Sequence, residues 1–227
     1  MNRRPVVSCQ LRRYILRVIT GLQRARSPQA KAERREQLLV VAREMLAAGM
    51  DLSALSLNAL ARRAGMAKSN VYRYFETREA VLLALLLTEW EGWVREAVAP
   101  MAGPQSPEAV VRHLASSLAA RPLLCQLTAA LPTVLERNLS AAAIATFKRD
   151  ALALLQGIGA RLAAVAPSRG AAEWTGVVYD ASTLLAGLYP VTHPGAEAAQ
   201  ALEDPALGFF RRDLGEELAR HLGALVR

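Results

Sequence analysis

The run Leu57-Asn58-Ala59-Leu60-Ala61-Arg62-Arg63-Ala64-Gly65-Met66-Ala67-Lys68-Ser69-Asn70-Val71-Tyr72-Arg73-Tyr74-Phe75 decides the fold of this 227-residue chain. Leu57, Leu60, Ala61 and Ala64 recur at the period of one helix face, and Ser56 in front of them supplies an N-cap hydroxyl. Gly65 provides the left-handed residue that a sharp turn between two helices needs, because a Cβ is penalised there. The helix that follows, about 68 to 75, can bury Val71, Tyr74 and Phe75, which leaves Lys68, Ser69, Asn70, Tyr72 and Arg73 on its outer side. Amide and hydroxyl groups on such a face can pair with base edges in a major groove, and cations with phosphates or guanine. The pair reads as a helix-turn-helix, with the second helix as the reader.

Upstream, a helix of about 33 to 48 turns Leu38, Val41, Ala42 and Met45 inward and Arg34, Arg35 and Arg43 outward, and Gly49 ends it. Downstream, Thr77 can cap a long helix to about Ala99 that carries Val81, Leu82, Leu85, Leu86, Trp90 and Trp93. Charge divides along the same line. Residues 1–80 hold sixteen Lys and Arg against six acids, and residues 81–227 hold the remaining twelve against fourteen, within a formal net charge of +8. A basic end on a near-neutral body is the footprint of a phosphate-binding module joined to a second domain; solubility alone, or attraction to an anionic membrane surface, is the competing explanation.

The first 30 residues carry seven arginines and no acid, with Leu11, Tyr14, Ile15, Val18, Ile19 and Leu22 on one helical face. This basic amphipathic segment suits an arm along DNA, a membrane-surface helix, a targeting segment or an upstream extension. The reading preferred here is a dispensable, poorly ordered extension.

The run 57–75, with Thr77-Arg78-Glu79-Ala80-Val81-Leu82 after it, resembles the signature of the tetracycline-repressor (TetR/AcrR) family of transcriptional regulators. The resemblance implies an all-α fold in which an N-terminal three-helix helix-turn-helix DNA-binding domain precedes a larger helical ligand-binding and dimerisation domain. Its divisions fall at 1–30, 31–79 and 80–227. It implies a homodimer reading a short inverted-repeat operator in double-stranded DNA, with a small-molecule effector whose binding opposes DNA binding, most simply as a repressor. Carried onto this sequence, Ser56 and Leu57 open the helix whose N-terminus meets a phosphate, Lys68, Ser69, Asn70, Tyr72 and Arg73 fall on the reading helix, and Arg78 matches a basic phosphate contact. Two departures stand out: Ala67 replaces a common Ser cap, and the connection from Gly49 to Ser56 is longer than usual.

Beyond residue 100, Ser106-Pro107-Glu108 is a helix start, and further helices are expected at about 107–120, 122–131, 133–137, 140–164, 170–188 and 206–226. The run from Leu131 to Ser140, with Phe147-Lys148 after it, resembles a C-terminal subfamily of the same regulators without naming a ligand. A mostly apolar pocket with a few polar groups is expected there, with Gln126, Asn138, Trp174, Tyr179 and Thr183 as candidate ligand contacts. The stripes through Trp174, Val177, Val178, Ala181, Leu184, Leu185 and Leu188, and through Phe209, Phe210, Leu214, Leu218, His221, Leu222 and Leu225, are expected to form the dimer seam.

Alternating apolar runs are absent, which argues against strands, and no apolar stretch reaches the length of a membrane span. Cys9, Cys125, His113, His193 and His221 show no ligand spacing, so neither a metal nor another cofactor is expected, and the sparse cysteines suit a reducing cytoplasm. No nucleophile, base or paired-carboxylate arrangement stands at an enzymatic spacing, and Gly157-Ile158-Gly159 lacks the strand-turn-helix setting of a nucleotide loop. A helical interaction or membrane-surface protein without sequence-specific DNA binding is the alternative.

Overall fold

The computed structural model describes residues 28–136 and 139–227, and among them there are helices and turns but no strands. The basic N-terminal segment and Asn138 lie outside the described residues. The helices are α1 Pro28–Ala47, α2 Leu57–Arg63, α3 Lys68–Val71, α4 Arg78–Trp93, α5 Pro107–Ala119, α6 Pro122–Ala130, α7 Ala141–Val165, α8 Ala171–Thr192, α9 Ala196–Ala201 and α10 Leu214–Leu225.

The expected start signals at Ser56, Thr77 and Ser106 act as written, and Ser140 adds a further cap. Ser56, Thr77, Ser106 and Ser140 each accept a hydrogen bond through the side-chain oxygen from the backbone N–H three residues on, at 3.1, 3.1, 3.2 and 3.2 Å. Each satisfies one of the donors that a helix start leaves unpaired. The connection from Gly49 to Ser56 is not slack: a short 3-10 turn, Leu52–Ala54, capped by Asp51, fills it and sinks Leu55 into the core.

Two long helices change character at their ends. α4 continues as a π-helical turn over Val94–Val98, and α6 continues as another over Leu131–Leu135. Arg161 on α7 donates to the carbonyl of Ala99 at 2.8 Å and to that of Met101, holding the chain just beyond the first π turn.

Three expectations about the C-terminal region are corrected. α8 runs past Pro190 to Thr192, because a proline one turn from a helix end removes a single backbone donor near solvent instead of breaking the interior. The last helix begins at Leu214, not near 206: Asp213 caps it by accepting from Glu216 N–H at 2.9 Å, and Pro205–Phe210 forms a separate 3-10 turn. Phe209 and Phe210 therefore leave the apolar stripe and stand 73% and 57% exposed. Most of the two stripes expected at a dimer seam faces inward instead, while Leu184, Leu188 and His221 are half-buried and Leu225 is exposed. Trp174, Val177, Val178, Ala181 and Leu185 of α8 and Leu214, Leu218 and Leu222 of α10 are buried within the chain's own core, where α8 packs on α6, α7 and α10, and α10 on α5.

α7 and α8 approach closely at Gly159. A Cβ on Gly159 would come within 2.5 Å of the Ala171 carbonyl oxygen and would also overlap Thr175, so only glycine lets these helices touch at that point. Cys125, buried on α6, donates to the Leu118 carbonyl, and burial pushes its thiol up to about 12. Among the described residues, no single helix is long and apolar enough to cross a membrane, and no group of His, Cys, Asp and Glu could hold a metal ion.

Candidate nucleic-acid interface and ligand cavity

The turn between α2 and α3 is closed by two backbone bonds, Gly65 N–H to Arg62 O at 3.2 Å and Met66 N–H to Ala61 O at 2.9 Å, with Gly65 at φ 63°. This is the Schellman arrangement, in which the left-handed residue satisfies the last helical carbonyls while turning the chain. The α-helical part of α3 covers only Lys68–Val71, shorter than the 68–75 expected. Ala67 makes no side-chain cap, and beyond Val71 three-residue bonds, Arg73 N–H to Asn70 O and Tyr74 N–H to Val71 O, stand beside one last four-residue bond, Phe75 N–H to Val71 O.

Short as it is, α3 is firmly seated. Val71 and Phe75 are buried in the core and Tyr74 is half-buried, while Lys68, Ser69, Asn70, Tyr72 and Arg73 are exposed together on the outer side. The inward and outward assignments of the sequence are thus reproduced residue by residue. The Lys68 ammonium stands 5.6 Å from the Tyr72 ring centre, so the cation and the exposed aromatic form one patch. Arg35 of α1 lies over the opposite, buried aromatic, 4.9 Å from the Phe75 ring centre.

Ser56 is exposed and caps α2, whereas the Leu57 side chain is buried, so Leu57 can face solvent only through its backbone. Arg78 is tied down more than its sequence position suggested. Its Nε lies 2.8 Å from Glu79 Oε1, and its Nη1 donates to the Ser53 carbonyl at 2.7 Å. It braces the start of α4 against the turn before α2. Arg43, read as an outward charge, pairs with Glu89 of α4 at 2.5 Å and makes a second brace between α1 and α4.

The second feature is a cavity of about 480 Å³ between α4, α6 with its π turn, α7 and α8. α4 contributes Leu86, Leu87 and Trp90, and α7 contributes Phe147, Leu155 and Ile158 to a mainly apolar wall. Of the candidate contacts, Tyr179 and Thr183 line it. Trp174 does not: it is fully buried, with Nε1 donating to the Ala166 carbonyl at 3.2 Å, and serves the core. Gln126 is half-buried but stands off the cavity wall, and Asn138 lies outside the described residues.

Thr128, Ser182 and an ion pair at the rim, Glu136 with Lys148 at 2.6 Å, complete the polar lining. Neither Thr128 nor the ion pair is among the contacts expected from sequence. Nothing about twelve residues of spacing between Glu136 and Lys148 predicts contact, because the two stand on different elements, Glu136 after the π turn and Lys148 on α7.

An all-helical chain that presents a glycine-turned helix pair at one end and a cavity among longer helices at the other is built as a helix-turn-helix transcriptional regulator. Residues 38–85 match the family model described as bacterial regulatory proteins, tetR family, and residues 85–227 match that of the tetracyclin repressor-like C-terminal domain. The chain belongs to the TetR family, whose members are transcriptional regulators and not enzymes. No curated protein matches it. Solved structures similar in shape include the fatty acid degradation regulator FadR from Bacillus halodurans, at 16% identity over 89% of this chain and 97% of that one, TM-score 0.48. FadR from Bacillus subtilis in complex with stearoyl-CoA is similar at 16% identity over 84% and 97%, TM-score 0.48. A TetR/AcrR regulator from Thermobifida fusca stands at 22% identity over 86% and 96%, TM-score 0.47.

Proposed function

We propose that this regulator is a ligand-responsive repressor that binds a short inverted-repeat operator as a homodimer. The observation that carries the reading is the exposed Lys68, Ser69, Asn70, Tyr72 and Arg73 face, held outward by buried Val71 and Phe75. In this reading residues 31–79 bind DNA and residues 80–227 hold the ligand and the partner. Asn70 and Arg73 read base edges, while Lys68 and Tyr72 contact phosphate. The backbone of Leu57 at the start of α2, next to the Ser56 cap, meets a further phosphate. Arg78 adds positive charge close to the backbone while it braces α4.

The outer face of α8, with Ala172, Gly176 and Gly187 exposed, and that of α10, with Ala224 exposed, are small enough for helices of two copies to approach closely. A two-fold dimer built there matches a palindromic site, because the symmetry of the protein repeats that of the DNA.

Response to ligand follows from the course of α4. Trp90 lies in the cavity wall and Arg78 beside the reading head, roughly 18 Å apart along one helix at 1.5 Å per residue. A ligand that fits only one setting of α4 shifts the population towards that setting, and DNA that fits the other setting opposes it to the same extent.

The test is fluorescence anisotropy with fragments from beside the protein's own coding region. Asn70→Ala should change which bases are preferred, with a loss of about 1–3 kcal/mol at the affected position. Lys68→Ala should weaken binding to all fragments alike and flatten the salt slope. Equal, sequence-blind losses from both, or no preference among fragments in the unsubstituted protein, would defeat the reading.

A further inference from the structure

We infer that the cavity selects a cationic amphiphile, an ammonium or similar head on an apolar body, received by Glu136 and by a wall of hydrogen-bond acceptors. The inference rests on the ligand-responsive reading for its biological use, but its chemistry stands on the lining alone.

The hydroxyls decide the polarity of the wall. Thr128 donates its proton to the Leu124 carbonyl at 2.8 Å, and Ser182 and Thr183 donate theirs to the Tyr179 carbonyl at 2.7 and 3.1 Å. With those protons committed to the backbone, all three oxygens keep only lone pairs for a ligand. Glu136 adds a carboxylate. Its Oε1 is buried and accepts no hydrogen bond among the described residues, although Lys148 Nζ lies 2.6 Å away, an ion pair set at an angle poor for hydrogen bonding. A buried carboxylate oxygen whose cation stands at a poor angle leaves hydrogen-bonding strength unused, so a ligand that brings a well-aligned donor gains what the free protein leaves unmade.

Among the described residues, the cation on the wall is the part most easily moved. The Lys148 side chain is 55% exposed against 26% for Glu136, so the acid lies deeper and the base sits at the rim. An incoming ammonium can displace Lys148 into solvent, because an exposed ion pair on a flexible stem holds weakly. An incoming carboxylate has no such exchange. To reach Lys148 it must stand beside the Glu136 carboxylate, and the remaining side-chain donors on the wall among the described residues, the Tyr179 phenol and the Trp90 indole, are neutral. The rings of Trp90, Phe147 and Tyr179 in the same wall favour a cation further.

The experiment is calorimetric titration of the full-length protein at neutral pH with decylammonium, 1-decanol and decanoate, each below its micelle concentration. These probes share one apolar body and differ in the head. The expected order is ammonium, alcohol, carboxylate, with at least about a tenfold gap between first and last. Glu136→Gln preserves side-chain shape at a half-exposed position; it should reduce the ammonium to the level of the alcohol and improve decanoate. Decanoate binding as well as or better than the ammonium, an unchanged order in Glu136→Gln, or no binding of any probe would overturn the inference. Operator binding on the same preparation separates the two readings. An ammonium that binds in the expected order without loosening DNA supports the cavity chemistry and removes the response, whereas release by decanoate alone preserves the response and removes the cavity chemistry.

Discussion

Residues 50–77 and the cavity wall solve the same problem, placing polar groups where a ligand can reach them, by opposite means. The DNA-reading end relies on devices that act over three to five residues: the Ser56 and Thr77 caps, the paired backbone bonds at Gly65, and the alternation of Val71 and Phe75 with Asn70 and Tyr72. The cavity wall draws Leu86, Thr128, Phe147 and Tyr179 from four segments spread over much of the chain. A site of the first kind keeps its shape as long as its own turn forms. A site of the second kind inherits its shape from every helix contact between its members, so it is more easily altered and more easily adapted to a different ligand.

If that contrast is sound, substitutions in the larger domain should cost more stability than those at the reading head, and should disturb the cavity first. The largest effect is expected from Trp93→Ala. Trp93 is fully buried at the end of α4, donates to Ser117 Oγ at 3.0 Å and packs edge-to-face on Trp90 at 5.3 Å between ring centres. Its loss should cost about 3–5 kcal/mol, read by urea unfolding, and should abolish probe binding in the cavity. A cost below 1 kcal/mol would mean that α4 is not anchored there.

Gly159→Ala should be next, at about 1–3 kcal/mol, because the methyl must push α8 away from α7. The two helices carry opposite walls of the cavity, so probe affinity should fall along with the melting temperature. Stability lost with unchanged probe affinity would uncouple the cavity from this contact.

The smallest effect, and the only gain, is expected from Ala67→Ser. Ala67 has the extended backbone of an N-cap, φ −63° and ψ 139°, with no side-chain bond to the helix it precedes. Serine should add about 1 kcal/mol and leave the fold of the cavity untouched, as a local device must. Stabilisation should show by thermal melting, and any shift in probe binding would contradict the separation of the two regions.

How much could be read before folding follows from the same distinction. α2, the glycine turn and the two faces of α3 were legible because cap, turn and apolar period are each written within one helical turn of sequence. Trp174, Val177, Val178, Ala181 and Leu185 of α8 are apolar as the period says but serve the chain's own core, since periodicity tells that a face is buried but not by what. Phe209 and Phe210 continued the apparent period of α10 across a boundary that Asp213 sets by capping. Arg78 and Arg43 looked like free surface cations because the Ser53 carbonyl and Glu89 that hold them stand on other elements.

From its residues alone the chain is a helical protein with a basic, glycine-turned DNA-reading head and a family resemblance that the matched models bear out. Where the cavity lies, which hydroxyls offer lone pairs to it, and that Glu136 meets Lys148 at its rim emerged only when α4, α6, α7 and α8 packed together. Caps and turns are short-range and leave a trace in neighbouring letters. A cavity is the space that distant helices fail to fill, and no letter in the sequence stands for it.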